Sequence, residues 1–158
     1  MSPDAILVVE DSEAKLASII SALNDSFAWL PIHVARSVKS AMNALRHSDF
    51  TLIVADMSLP TFDVKHRERG GTARPFGGIE VFDYVKRRSK STPIIVVSSY
   101  PAIVDGGTSF TLHALAAKLK SDYPENFAGH VFFDSAYLTW ETELKSLAKE
   151  ILDGKRST

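Results

Sequence analysis

Apolar residues in this chain gather into short unbroken runs, separated by longer stretches in which they recur every three or four positions. Ala5-Ile6-Leu7-Val8-Val9, Thr51-Leu52-Ile53-Val54-Ala55 and Pro93-Ile94-Ile95-Val96-Val97-Ser98 are runs of the first kind. Runs this short, rich in β-branched residues and lacking polar alternation, predict strands buried on both faces. They place strands at about 4–9, 51–55 and 93–98. A second strand at about 31–35 opens at Pro31, and a last one covers His130-Val131-Phe132-Phe133-Asp134. The intervening stretches have helical periodicity. Ser12 is the expected cap of the first helix, with Glu13 in its first turn and Leu16, Ile19, Ile20 and Leu23 on one face. Asn24-Asp25-Ser26 ends that helix. Ser37 or Ser40 caps a second, with Val38, Met42 and Leu45 inward. A third runs from about Ile79 to Arg88 on Val81, Phe82 and Val85. A fourth is expected over Thr108 to Leu119, and the last over Thr139 to Leu152 on Leu144, Leu147, Ile151 and Leu152.

Five strands alternating with five helices predict an α/β fold with a doubly wound parallel sheet, in one domain spanning 1–158. Two connections exceed the ~2–6 residues usual for such folds. One covers 60–78. The other extends the 100–129 region, with Tyr100 to Gly107 read as loop and Ser121 to Gly129 as turn and linker. Gly154 to Thr158 reads as a frayed tail.

Bulk properties narrow the functional classes. The 158 residues are 45% hydrophobic and 23% charged, a globular composition, and the formal net charge of −1 offers no bulk attraction to nucleic acid or anionic lipid. Neither nucleic acid nor membrane is an expected partner. Cysteine is absent, which excludes disulfides, thiolate nucleophiles and zinc–thiolate sites, and fits a cytoplasmic location. No stretch approaches the ~18 apolar residues of a membrane span. Met1-Ser2-Pro3-Asp4 lacks the basic start and apolar core of a secretory signal.

The chemistry lies where strands end. Glu10-Asp11 closes the first run and Asp56 the third, and in an open α/β sheet those ends share the ligand-binding edge. Three carboxylates there repel one another unless a hard cation sits among them, and oxygen-only ligation suits Mg²⁺.

In order and spacing, Ile6-Leu7-Val8-Val9-Glu10-Asp11-Ser12, Ile53-Val54-Ala55-Asp56-Met57-Ser58-Leu59-Pro60, Gly78-Ile79-Glu80-Val81 and Pro93-Ile94-Ile95-Val96-Val97-Ser98 closely resemble the receiver domain of two-component response regulators. The resemblance covers essentially the whole chain. It implies a flavodoxin-like fold with strand order 2-1-3-4-5, and a phosphorelay signalling module rather than an enzyme. Asp56 would then accept a phosphoryl group from a phosphohistidine on a sensor histidine kinase or histidine phosphotransfer protein. Glu10, Asp11, Asp56 and the backbone carbonyl of Ser58 would hold Mg²⁺, and Ser98 would hydrogen-bond a phosphoryl oxygen. Output would pass to a downstream effector protein, and a homodimer stays open. The family normally carries a Lys-Pro pair after its fifth strand, where this chain has Phe133 or Asp134 according to register. The family's aromatic switch maps likewise to His130 or Val131. The 60–78 connection is basic, and Lys65, Arg67, Arg69 and Arg74 are candidate substitutes for that cation; the expected reading of the loop is a solvated one that contacts a partner. The missing lysine also keeps a second reading open, a pseudo-receiver that binds partners without phosphorylation.

Other motifs carry less. Haloacid-dehalogenase-like phosphatases and Toprim-type nucleases need Asp-x-Asp, and this chain offers Glu10-Asp11 and Asp56-Met57-Ser58. The histidines show no metal-ligand spacing, and no Gly-Lys-Ser/Thr follows the glycine pairs. Lys86-Arg87-Arg88-Ser89-Lys90 is what a helix dipole favours in a last turn, hence a solvated face. Trp29 and Trp140 are expected to pack, with an interaction surface as the alternative for Trp140 at the start of the last helix.

Overall fold

The computed structural model describes residues 4–62, 77–100, 102–105 and 107–156. Strands β1 (Ile6–Val9), β2 (Ile32–Ala35), β3 (Leu52–Ala55), β4 (Ile94–Ser98) and β7 (Phe127–Phe132) form one parallel sheet in the order β2-β1-β3-β4-β7. The expected order holds, with β7 as the fifth sheet strand. Two additional strands precede it in the chain. Ala102–Asp105 (β5) and Thr108–Thr111 (β6) pair as an antiparallel hairpin where loop and helix start were expected. The following helix therefore begins at Leu112, four residues late, with Thr111 Oγ1 accepting from the Ala114 amide at 3.0 Å. Thr108-Ser109-Phe110-Thr111 has the β-branched and aromatic character of a strand, which outweighs its short helical pattern.

The buried runs divide their side chains with period two. Leu7, Val9, Ile53, Ala55, Ile94 and Val96 face helices α2 (Val38–His47), α3 (Gly77–Arg87) and α4 (Leu112–Asp122). Ile6, Val8, Leu52, Val54, Ile95, Val97 and Val131 face α1 (Glu13–Ser26) and α5 (Thr139–Arg156). Two apolar layers thus clamp one sheet, the arrangement that requires unbroken apolar strands. Both serines considered for α2 take part in its start: Ser37 caps it and the Ser40 hydroxyl returns a bond to the Ser37 amide at 3.0 Å.

The last strand begins at Phe127 and stops at Phe132, earlier at both ends than expected. Its register against β4 slips between Ile94 and Ile95, and Gly129 stands there at φ 140°, open only to glycine at little cost. Asn126, buried before it, donates to the Lys90 carbonyl at 2.9 Å and the Thr92 carbonyl at 3.0 Å. Helix α3 starts two residues early, at Gly77, and α5 continues through most of the expected tail to Arg156.

Trp140 packs as expected, 4.7 Å from the Phe133 ring, whereas Trp29 is 55% exposed, with its ring edge-on to Phe27. In the basic cluster, Lys86 donates to the Asp122 carbonyl, Lys90 pairs with Asp49 and Arg88 lies over Tyr84. Among the described residues no helix is long and apolar enough to cross a membrane.

Candidate phosphoacceptor site

β1 and β3 run side by side in matched register, Val9 against Ala55, so the residues after them emerge together at the C-terminal edge of the sheet. Ligand-capable oxygens of Glu10, Asp11 and Asp56 lie within 4.8 Å of one another. The three groups differ in setting: Glu10 is 1% exposed and Asp56 6%, while Asp11 faces solvent. Backbone amides hold the two buried acids. Glu10 Oε1 accepts from the Ser12 amide at 3.1 Å, and Asp56 Oδ1 from the Ser58 amide at 3.3 Å.

A cation already occupies the inner side of this cluster. Lys15, in the first turn of α1 and buried, brings Nζ to 2.8 Å from Glu10 Oε2 and 3.0 Å from Asp56 Oδ2. The same ammonium donates to the Val97 carbonyl of β4 at 2.8 Å. The contact with Glu10 Oε2 is a short, buried ion pair. Burial pushes the Glu10 carboxyl up to about 7; the Lys15 charge opposes this and the Asp56 charge adds to it. Desolvation wins although the ammonium sits within contact distance.

The candidate substitute cations Lys65, Arg67, Arg69 and Arg74 lie outside the described residues, as does His66. Among the described residues the cation at the acidic cluster is Lys15, which the sequence reading passed over. Its signal was present. Position 15 is one helical turn before Ile19 and two before Leu23, so a lysine stands on the core-facing stripe.

Register settles the end of the last sheet strand. Ser98 pairs with Phe132, and the Phe133 amide donates to the Ser98 carbonyl at 2.7 Å, so Phe133 is the first residue past the strand. Its ring lies 5.9 Å from Lys15 Nζ and packs at a tilt against Trp140. Ser98 itself is buried, and its hydroxyl is engaged with Tyr100, donating to the carbonyl at 3.3 Å and accepting from the amide at 3.2 Å.

A hard divalent ion fits this donor set. The three groups offer only carboxylate oxygens, Asp11 is open to solvent, and the acids outnumber the ammonium three to one. When fully ionised, the cluster would carry two net negative charges facing water, the charge that a divalent ion neutralises.

Residues 6–121 match the response regulator receiver domain family. The chain belongs to that family. It is 26% identical over 141 residues to the Detocs response regulatory protein DtcB of Enterobacter cloacae, covering 88% of this chain and 94% of that one. An uncharacterized protein, y4jR of Sinorhizobium fredii, is 29% identical over 142 residues, covering 89% and 93%. In fold, the chain is similar to the signal receiver domain of an HD domain-containing protein from Pseudomonas fluorescens Pf-5, with a TM-score of 0.66, 18% identity and full coverage of both chains. It is also similar to a CheY-like response regulator receiver domain protein from Methanospirillum hungatei JF-1, with a TM-score of 0.64, 15% identity and coverage of 99% and 100%.

Proposed function

We propose that this chain is a phosphorylation-controlled receiver in a phosphorelay, with Asp56 as acceptor and a phosphohistidine on a kinase or phosphotransfer protein as donor. The observation that carries the reading is the meeting of Glu10, Asp11 and Asp56 within 4.8 Å at the ligand-binding edge. Membership of the receiver family supports it, as does the likeness to a Detocs response regulatory protein.

The chemistry follows from the carboxylate. An Asp56 oxygen forms the new P–O bond while the donor's P–N bond breaks, and the electron pair leaves with the imidazole nitrogen, which takes a proton from solvent. Little covalent assistance is required of the protein; positioning and charge stabilisation carry the step. Glu10, Asp11, Asp56 and the Ser58 carbonyl would hold Mg²⁺, which supplies positive charge to the transferring oxygens. The Ser58 amide bond to Oδ1 restrains the Asp56 carboxylate. Ser98 lies one strand over, and its hydroxyl would exchange its Tyr100 contacts for a phosphoryl oxygen, carrying occupancy into the loop before β5. The product is a modified protein surface read by an effector, in the cytoplasm.

Incubation with Mg²⁺ and acetyl phosphate, followed by intact mass spectrometry, tests the proposal. One phosphoryl increment on the wild type and none on Asp56→Asn is expected. A wild-type chain that stays unmodified would refute phosphorylation and favour the pseudo-receiver reading.

A further inference from the structure

We infer that Lys15 is a catalytic residue of this site: its ammonium contacts the phosphoryl group on Asp56 and neutralises its charge. The inference rests on the receiver reading above. It assigns to α1 a task that the residue after the last sheet strand, Phe133, cannot perform.

Four observations carry it. First, the side chain is buried at 4% exposure, and taking an ammonium out of water costs several kcal/mol unless anions meet it. Second, the anions it meets are Glu10 and the proposed acceptor itself, with Nζ 3.0 Å from Asp56 Oδ2. A phosphoryl group bonded to either Asp56 oxygen would bring its own oxygens within reach of that nitrogen. Third, the ammonium is braced at a fixed point, because it donates to the Val97 carbonyl at 2.8 Å. Preorganised charge in a water-poor site is worth more to a developing anion than mobile charge at a surface. Fourth, the wall behind it is apolar: the Phe133 ring lies 5.9 Å away, backed by Trp140. An aromatic face tolerates a cation and offers no competing anion.

The position also separates the roles of the acids. Lys15 sits against Glu10 Oε2 and Asp56 Oδ2, whereas Asp11 is open to solvent. One positive charge therefore stands beside the metal-binding oxygens while facing the acceptor. It must weaken Mg²⁺ binding and strengthen phosphoryl transfer, and a lysine that merely held the fold would not divide those effects.

The test is Lys15→Met, assayed at pH 8 by phosphoryl uptake from acetyl phosphate and by calorimetric Mg²⁺ titration without phosphodonor. Loss of the ammonium should slow uptake about a hundredfold and tighten Mg²⁺ binding about tenfold. Uptake at the wild-type rate, or both properties weakened together, would overturn the inference while leaving the receiver reading intact. A wild-type chain that takes up no phosphoryl group would overturn both. If the variant fails to fold, the wild type decides: the Lys15 side-chain ¹⁵N resonance should shift when beryllofluoride and Mg²⁺ are added beyond the shift with Mg²⁺ alone. An unchanged resonance would refute the contact.

Discussion

Substituting Gly78 by alanine perturbs the end of β3 from behind. Gly78 stands in the first turn of α3, and its amide donates to the Met57 carbonyl at 2.8 Å. A Cβ there would lie 2.4 Å from the Asp56 carbonyl oxygen and 2.8 Å from Met57 Cα. A close carbon–oxygen contact begins near ~3.3 Å, so the backbone following Asp56 would have to retreat by about 0.9 Å. Both obstructing atoms belong to main chain, which cannot swing aside as a side chain can. Overpacking of this kind costs about 3 kcal/mol, the upper end of the usual range. Alanine recovers up to about 1 kcal/mol of helix propensity, and less in a first turn. The steric term wins, leaving about 2 kcal/mol of net destabilisation, or a Tm lower by roughly 4–8 °C for a chain of this size. Gly154, in α5, has nothing within 4 Å of the same added atom, so its alanine variant should gain a fraction of the propensity term and raise Tm by roughly 2 °C. Thermal unfolding of both variants, followed by circular dichroism, reads the two signs. A Gly78→Ala protein as stable as wild type would refute the close approach of α3 to the backbone after β3.

Two further predictions concern groups the fold buries. Asn126→Ala leaves the Lys90 and Thr92 carbonyls without their amide donor and should cost about 2 kcal/mol, seen as a lower urea midpoint; an unchanged midpoint would mean water replaces both bonds. Glu10 is held up to about 7 against an ordinary 4.5, so between those values the folded chain keeps a proton that the unfolded chain has lost. Stability from this group is therefore complete below the lower value and is lost as pH rises through the higher one, by up to about 3 kcal/mol. In metal-free buffer, Glu10→Gln should flatten that slope, and a variant with the wild-type slope would assign the titration elsewhere.

The sheet and the acidic cluster could be read from the chain because their signals are local. Unbroken β-branched runs mark doubly buried strands, and an acid directly after such a run is carried to the strand's C-terminal edge whatever the helices do. Glu10, Asp11 and Asp56 converge for that reason. Boundaries were less legible where two local preferences compete. Thr108-Ser109-Phe110-Thr111 reads as a helix start until the preceding segment turns back at Gly107, φ 84°, to pair with it. The last strand's register depended on a slip opposite Ile94 and Ile95, a product of pairing with β4 that leaves little trace in composition.

The sequence sets Lys15 on the core-facing stripe of α1, but which groups its ammonium meets was decided by tertiary structure. Lys65, Arg67, Arg69 and Arg74 lie outside the described residues, and a sequence shows which residues are cationic but not how far each reaches. Lys15 comes from a helix, through a stripe otherwise filled by Leu16, Ile19 and Leu23, to acids just past two different strands and a carbonyl on a third. Burying an ammonium is unfavourable until all three partners are in place, and only the assembled sheet edge supplies them together.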